Sequence, residues 1–314
     1  MVAPDLSIVI VNWNTLALTR ECLASVFAGL GGLTAEVIVI DNASTDGSAE
    51  MIAADFPDCV LIRNATNRGF AAANNQGFAV ARGRHVLLLN TDTVIHGRVL
   101  PDSVAWMDAH PEAGGMGCRV LNTDGSVQWT CSMYPSLLNL TLQLSGLSAL
   151  PWPAFFGRYY MRGWARDSER PVEVVTGCYL MVRREVIETV GGLDEGFFFY
   201  AEETDWCRRI RDAGWALVFT PVGEITHHYH GSTRPSDPWR GAMLSRAMVR
   251  LHRKHGGWPG GAAAFALMFG YNASRALAWS LAALLTRSER ARARGRYFRG
   301  VVAASRGGAP AAAP

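Results

Sequence analysis

Leu6-Ser7-Ile8-Val9-Ile10-Val11 runs without a break into Asn12-Trp13-Asn14. The first six residues are mostly β-branched or aliphatic, as in a strand covered on both faces, where polar and apolar positions no longer alternate. The polar residues stand where that strand would end. The same pattern returns twice. Glu36–Ile40 predicts a second buried strand and leads into Asp41-Asn42-Ala43-Ser44-Thr45-Asp46, and His85–Leu89 predicts another, followed by Asn90-Thr91-Asp92-Thr93. Between them, the spacing predicts helices over Thr19–Ala28, Ser48–Asp55 and Ala71–Ala81, with a short strand at Cys59–Arg63. Strands alternating with helices at this pitch form parallel βαβ units, hence an α/β fold with a mostly parallel, doubly wound sheet. Such sheets bind ligands at the carboxyl ends of their strands. Asn and Asp also cap helices and form turns, which would account for any one cluster. Three clusters at equivalent strand ends point to a binding edge.

Beyond this half the pattern changes. From about Cys131 to Trp164 the chain is aromatic and leucine-rich, broken by Pro135, Pro151 and Pro153; a lid, an acceptor-binding insert and an irregular piece of core all fit. Pro171–Val182 then predicts a strand, Arg184–Val190 a helix closed by Gly191-Gly192, Tyr200–Ala213 a charged helix and Ala216–Phe219 a further strand.

The 314 residues, 49% hydrophobic, suffice for one large domain with a small appendage and exclude global disorder. The net charge of +3 hides an asymmetry: residues 1–239 carry 17 basic and 26 acidic side chains, residues 240–314 carry 13 basic ones and Glu289 alone among acids. An acidic body would repel a nucleic-acid backbone, so no nucleic-acid partner is expected. The six cysteines contain no C-x-x-C pair, which argues against a disulfide framework and a thiolate zinc site. The first residues show no charged n-region or cleavage site, so no signal peptide is expected. Neither G-x-G-x-x-G after a strand nor G-x-x-x-x-G-K-S/T is present, which removes dehydrogenase and P-loop functions. A nucleotidyltransferase would want a basic, glycine-rich loop where Asn12-Trp13-Asn14 stands.

Three groups carry candidate chemistry. Asp92 is a carboxylate just beyond a strand terminus, and a hard cation holding a diphosphate needs only one or two protein oxygens. Glu202-Glu203-Thr204-Asp205 opens a helix after an aromatic turn; Asp205 can pair with Arg208 or Arg209 at helical spacing, whereas Glu202 and Glu203 have no obvious local partner. His227-His228-Tyr229-His230 offers three imidazoles in four residues, suited to a metal or a phosphate.

The order of these motifs resembles the family 2 glycosyltransferases of GT-A fold, in their rhamnosyltransferase-like branch. The matching text is Ser7–Asn14, Val39–Ser48, Asn67-Arg68-Gly69-Phe70-Ala71-Ala72-Ala73-Asn74-Asn75-Gln76-Gly77, Leu88–Thr93, Gly191–Phe198, Glu202–Arg209 and the His-Gly-Ser run, covering roughly residues 5–235. The resemblance implies that Asp41 binds the nucleotide base with Asn12 and Asn14 beside it, while Asn67, Gly69, Asn74 and Thr91 line the nucleotide pocket. Asn90-Thr91-Asp92 takes the family's D-x-D position, with Asp92 on a Mn2+ or Mg2+ ion; Asn90 is a departure and a weaker ligand. Glu203 falls where the general base sits, often Asp elsewhere, with Glu202 beside it. Among the histidines, His228 best fits the H-x-x-G spacing to Gly231 as a metal ligand, and His227 and His230 stay open. Trp206 and Gly177 would meet the acceptor.

The implied reaction is an inverting transfer of a sugar, rhamnose favoured, from a nucleotide-diphosphate donor to a hydroxyl of a glycan or polyprenyl-linked acceptor in bacterial surface-polysaccharide synthesis. The implied setting is cytoplasmic, at the inner face of the plasma membrane. The expected division is a catalytic domain over 1–239 (nucleotide-sugar half about 1–130, acceptor half about 131–239), a basic helical extension over 240–306 and a disordered tail over 307–314. Within the extension, Ala262–Leu285 is apolar but interrupted by Asn272 and Arg275, which argues against a spanning helix. With Arg287, Arg290, Arg292, Arg294, Arg296 and Arg299 behind it, it suits an amphipathic helix on an anionic membrane, or a helix packed on the catalytic domain or a partner.

Overall fold

Successive residues of the first strand face different layers, which is why the run is apolar throughout. In the computed structural model, which describes residues 3–150, 154–228 and 238–306, Ile8 and Ile10 share a buried cluster with Cys22, Leu23 and Val26. Val9 points the other way, where a Cβ on Gly77 would stand 2.4 Å from its Cγ1. Each such aliphatic side chain contributes about 1.5–3 kcal/mol when fully buried.

The chain order is β1 (Leu6–Asn12), α1 (Leu16–Gly29), β2 (Ala35–Asp41), α2 (Ser48–Asp55), β3 (Val60–Arg63), α3 (Phe70–Val80), β4 (His85–Asn90), β5 (Thr93–Ile95), α4 (Val99–Ala109), β6 (Ala113–Leu121), β7 (Val127–Gln128) and β8 (Cys131–Ser132). There follow α5 (Leu137–Leu144), β9 (Arg170–Pro171), β10 (Val174–Val175), β11 (Tyr179–Arg183), α6 (Arg184–Val190), α7 (Glu202–Asp212), β12 (Ala216–His227), α8 (Pro238–Thr286) and α9 (Glu289–Arg306). The main sheet runs β3-β2-β1-β4-β11-β6-β12-β5, with β7 on β6 and β9 on β12. Strands β3, β2, β1 and β4 are mutually parallel, and β11 is antiparallel to both its neighbours. The chain winds outward from β1 through β2 to β3, then returns to the other side of β1 as β4. That reversal opens a crevice at the carboxyl ends of β1 and β4.

Three expectations are corrected. Pro171–Val182 is not one strand: β9 pairs with β12, β10 leaves the main sheet to pair with β8, and β11 enters between β4 and β6. The strand at Ala216–Phe219 continues to His227, past a stretch from Phe219 to Glu224 where its register with β6 shifts. Pro221, which has no N–H to give a ladder, lies in that stretch. The charged helix starts at Glu202 instead of Tyr200, because Tyr200 and Ala201 take left-handed backbone conformations (φ 74° and 67°) that no α-helix continues. All six cysteines are free thiols.

Two compact units are present: Met1–Tyr134, Gly163–Phe198 and Glu202–Ser232 in the first, Pro135–Arg162, Phe199–Ala201 and Thr233–Pro314 in the second. The irregular stretch expected inside the first 239 residues thus groups largely with the C-terminal helices. In this second unit α8 is two helical segments meeting at Gly257 (φ 63°, ψ −165°). Helix α9 folds back along the later segment, where Arg299 Nη1 donates to Ser280 Oγ (2.6 Å) and Phe298 meets Tyr271 edge-on. Asn272 is buried there, its Nδ2 donating to Met268 O (2.8 Å) and Ser245 Oγ (3.3 Å). No described helix is long and apolar enough to cross a membrane. Tyr229, His230, Gly231, Ser232 and residues 307–314 lie outside the described residues.

Candidate active site

Strand register brings the polar clusters together. Asn12 is the partner of Asp41 across β1 and β2, and Val11 is the partner of Asn90 across β1 and β4. The side chains then interlock. Asn12 Nδ2 donates to Asp41 Oδ1 (2.7 Å) and Ser44 Oγ (3.0 Å), while its Oδ1 accepts from Thr15 and Thr19 hydroxyls. Asp41 Oδ2 accepts the Ser44 N–H, and Asn14 Oδ1 accepts the Thr45 N–H (2.8 Å). Buried Thr91 joins through Thr15, the two hydroxyl oxygens lying 3.1 Å apart. Asn67 Oδ1 accepts from Asn42 Nδ2 and from Gly69 N–H. Gly69 has φ +82°, and a Cβ there would stand 2.7 Å from Phe198 O, so only glycine lets this loop approach. These bonds satisfy the buried polar atoms and hold Asp41 in one orientation, as a binding edge requires.

Asn74 departs from this group. It is buried within α3 and its Nδ2 donates to Phe70 O one turn back (2.9 Å), a role internal to the helix. Asn75 instead reaches outward, exchanging hydrogen bonds with the Leu193 backbone.

Beyond β4, Asp92 is buried and its Oδ1 lies 3.1 Å from His227 Nε2. The spacing argument preferred His228, but the structure brings His227 to Asp92. Adjacent residues of an extended chain point to opposite sides, so His228 turns toward Glu21 (3.7 Å) and only its backbone N–H meets residue 92, donating to Asp92 O (2.8 Å). His227 Nδ1 faces Gln128 Oε1 (2.7 Å), and Asn90 Nδ2 lies 3.5 Å from Nε2. No group of three or more His, Cys, Asp or Glu side chains that could hold a metal occurs among the described residues. Asp92 with His227 supplies two donors, an oxygen and a nitrogen, which fits an ion whose remaining positions are filled by a diphosphate and water.

Glu202 and Glu203 open α7, fastened from behind. Trp206 Nε1 donates to Gly191 O (2.8 Å), and Arg209 bridges Asp205 (2.9 Å) to Gly192 O and Val190 O. Trp206 is 0% exposed and stacked on Phe78. Its expected place at the acceptor is therefore corrected: it is core, and it anchors the helix that carries the glutamates. Gly177 sits at the corner between β10 and β11, buried beside Cys178, whose carbonyl accepts the Asn90 N–H (3.3 Å).

Burial pushes the Glu202 carboxyl well above the usual range, and the neighbouring charge of Glu203 adds to the shift; its Oε2 is buried with no hydrogen-bond partner. Burial also raises Glu203, while its own N–H and that of Thr204 pull it back. The Cys178 thiol is pushed up to about 12, chiefly by burial and further by the charges of Asp92 and Glu203. One buried sulfur thus feels both the β4-end carboxylate and the α7 glutamate.

Sequence reasoning did not single out Gln128, Asn42, Ser44 or Asn75. Gln128 had a usable signal. Asn122-Thr123-Asp124-Gly125-Ser126 contains the Asp-Gly of a tight hairpin, which turns the chain after β6 back along it as β7.

The sequence model of Glycosyl transferase family 2 matches residues 7–191. An N-acetylglucosaminyl-diphospho-decaprenol L-rhamnosyltransferase of Mycobacterium tuberculosis is 31% identical over 243 residues, spanning 71% of this chain and 76% of that protein. Rhamnosyltransferase WbbL of Escherichia coli is 33% identical over 67 residues, 21% of this chain and 25% of its own. Among solved structures, mannosyltransferase PcManGT of Pyrobaculum calidifontis, in complex with GDP-Man and Mn2+, superposes with a TM-score of 0.55 at 18% identity, covering 97% of this chain and 87% of that one. GalNAc-T7 with UDP, GalNAc and Mn2+ gives 0.54 at 17%, covering 74% and 45%. With the family matched over more than half its length, the chain is a glycosyltransferase of GT-A fold and belongs to glycosyltransferase family 2.

Proposed function

We propose that this glycosyltransferase moves a sugar, rhamnose first among candidates, from a nucleoside-diphosphate donor to a hydroxyl of a lipid-linked glycan acceptor, with inversion at the anomeric carbon. The observation that carries the chemistry is the Asp92–His227 pair, 3.1 Å apart just beyond β4, at the same edge of the sheet where Asn12 meets Asp41. A sugar hydroxyl does not attack unaided; Glu203 takes its proton as the new bond forms, and a carboxyl raised by burial is a stronger base for that step. Asp41, held by Asn12 and Ser44, receives the nucleotide base. Asp92 and His227 would hold a Mn2+ or Mg2+ ion, which would neutralise charge on the departing diphosphate. Attack from the side opposite the leaving group inverts the centre. The names of the mycobacterial and Escherichia coli relatives support rhamnose and, for the former, a diphospho-polyprenol acceptor. The test is nucleoside-diphosphate release from dTDP-rhamnose with and without a polyprenyl-diphosphate-N-acetylglucosamine acceptor. Release that does not depend on acceptor would overturn the reading.

The same proposal gives the second unit a place at the inner face of the plasma membrane. Phe265, Leu277, Leu281, Leu284 and Leu285 are exposed, Leu284 by 77% and Leu285 by 85%. Steps of three and four along the later segment of α8 put Phe265, Phe269, Ala273, Leu277, Leu281 and Leu284 on one ridge. Asn272 faces inward and does not interrupt it. The exposed arginines from Arg287 to Arg299 follow directly. An apolar ridge beside a basic helix suits an anionic lipid surface.

A further inference from the structure

The ring nitrogen that His227 turns toward Asp92 is decided a strand and a turn away. Gln128 Oε1 meets His227 Nδ1 at 2.7 Å. An amide can present either its oxygen or its nitrogen, so the direction of that bond depends on what the other end of the amide does. Gln128 Nε2 donates to Asn122 Oδ1 (2.7 Å), which leaves Oε1 for the histidine. The Asn122 amide is oriented in turn: its Nδ2 donates to Ser126 Oγ (2.9 Å). The Ser126 hydroxyl donates to Asp124 Oδ1 (2.6 Å), which also accepts the Ser126 N–H (2.9 Å). The Asp124 carboxyl is held below its ordinary range, first by the Ser126 hydroxyl and then by the Ser126 N–H. It is an acceptor only, and an acceptor at one end of a chain of amides fixes the sense of every bond along it.

Followed to the far end, the chain reads Asp124 carboxylate, Ser126 hydroxyl, Asn122 amide, Gln128 amide, His227 Nδ1–H. Nδ1 carries the proton, so neutral His227 carries its lone pair on Nε2, 3.1 Å from Asp92 Oδ1. Asn90 Nδ2 lies 3.5 Å from the same Nε2, a placement that this tautomer accommodates.

We infer that the β6–β7 hairpin is a positioning device for the proposed ion site: Gln128, oriented through Asn122, Ser126 and Asp124, locks His227 in the Nδ1–H tautomer and aims a bare Nε2 beside Asp92. Two electron-pair donors so close favour a cation between them. A ligating histidine ordinarily gives its other N–H to an acceptor of this kind, which fixes ring and tautomer together. The purpose of the unprotonated nitrogen rests on the proposed ion site; the tautomer rests on the oriented amides that reach Nδ1.

The experiment is long-range 15N–1H correlation of the histidine rings at mildly alkaline pH, on the full chain, beside Mn2+ titration of the same samples by calorimetry. In the parent protein His227 shows a protonated Nδ1 and a bare Nε2. Gln128→Leu removes the acceptor, so the ring shifts toward the Nε2–H tautomer that free imidazole side chains favour in water, and Mn2+ affinity falls about 10–100-fold. Gln128→Glu retains an acceptor for Nδ1 and restores the parent tautomer, which general loosening of the hairpin would not allow. Asn122→Ala gives a partial shift in the direction of Gln128→Leu. An unchanged tautomer in Gln128→Leu, or a parent ring already protonated at Nε2, overturns the inference. If the tautomer responds as expected but the parent protein takes up no Mn2+, the relay stands and the ion site is the part that fails.

Discussion

His227 Nε2 and Asp92 Oδ1 stand 3.1 Å apart, one from the end of β12 and the other from the turn after β4. With Nδ1 protonated as inferred above, both facing atoms carry lone pairs, and a cation between them relieves their repulsion. Asp92→Asn retains the shape of the side chain and removes its charge. Mn2+-dependent binding of nucleoside diphosphate is expected to weaken at least about 10-fold, the scale of lost metal-site groups, while metal-free binding stays as it was. Calorimetry with and without Mn2+ reads the difference, and equal Mn2+ enhancement in both proteins would remove Asp92 from the site.

Glu203→Gln should leave donor affinity unchanged and lower kcat by about 10²–10⁴, the range for losing a positioned base. Single-turnover transfer gives the rate, and a thermal-shift titration with donor gives the affinity. Wild-type turnover in the variant would exclude Glu203 as the base.

Glu202 makes stability depend on pH in a defined direction. Its folded carboxyl is raised by burial and by Glu203, so between the ordinary carboxylate range and the raised value the native state holds more proton than the unfolded chain. Stability therefore falls as pH rises through that window, by up to about 1.4 kcal/mol per pH unit for one proton. Glu202→Gln removes that contribution. Its Tm should gain on the parent protein at about pH 8 relative to about pH 5, by about 2–4 °C for each kcal/mol relieved. Parallel Tm profiles in the two proteins would contradict the burial account.

Trp206→Ala should cost about 3–5 kcal/mol, because it empties a core position and breaks the bond to Gly191 that seats α7. Trp206→Phe is the milder probe: Tm drops, and acceptor KM in the folded protein does not change. A selective rise in acceptor KM with Tm intact would return Trp206 to the acceptor site.

Leu281→Glu with Leu284→Glu places two charges on the exposed ridge of α8 and should abolish co-sedimentation with vesicles containing anionic lipid. Replacing Arg292 and Arg296 with Gln should weaken it and reduce its dependence on salt. Binding of neutral and anionic vesicles alike, unaltered by either pair, would point to a protein partner on this face.

Most of the first half was legible because its signal is local. An apolar run of five or six residues broken by Asn or Asp marks a buried strand and its carboxyl end, and β1, β2 and β4 lie where those runs predicted. The later half was less legible for equally physical reasons. Pro171–Val182 looks like one strand because Val172, Val174, Val175 and Tyr179–Val182 are apolar, and only the pairing partners divide the stretch among β9, β10 and β11. Tyr200 and Ala201 carry no sequence mark of a left-handed backbone, so the start of α7 was misplaced.

The chain of residues by itself determined the parallel sheet, the polar strand ends at Asn12, Asp41 and Asn90, and the glutamates at the head of a helix. Those features are properties of neighbouring residues, and neighbouring residues carry their own periodicity and turn chemistry. The tertiary structure alone decided that His227 and not His228 faces Asp92, that Trp206 is core, and that Gln128 orients the imidazole. Each of those outcomes depends on which distant segment supplies the partner. Strand pairing is settled by the packing of the whole sheet, and a one-residue change of register would have turned His227 and Gln128 to the opposite face; Trp206 is core because α7 packs against Gly191 and Phe78.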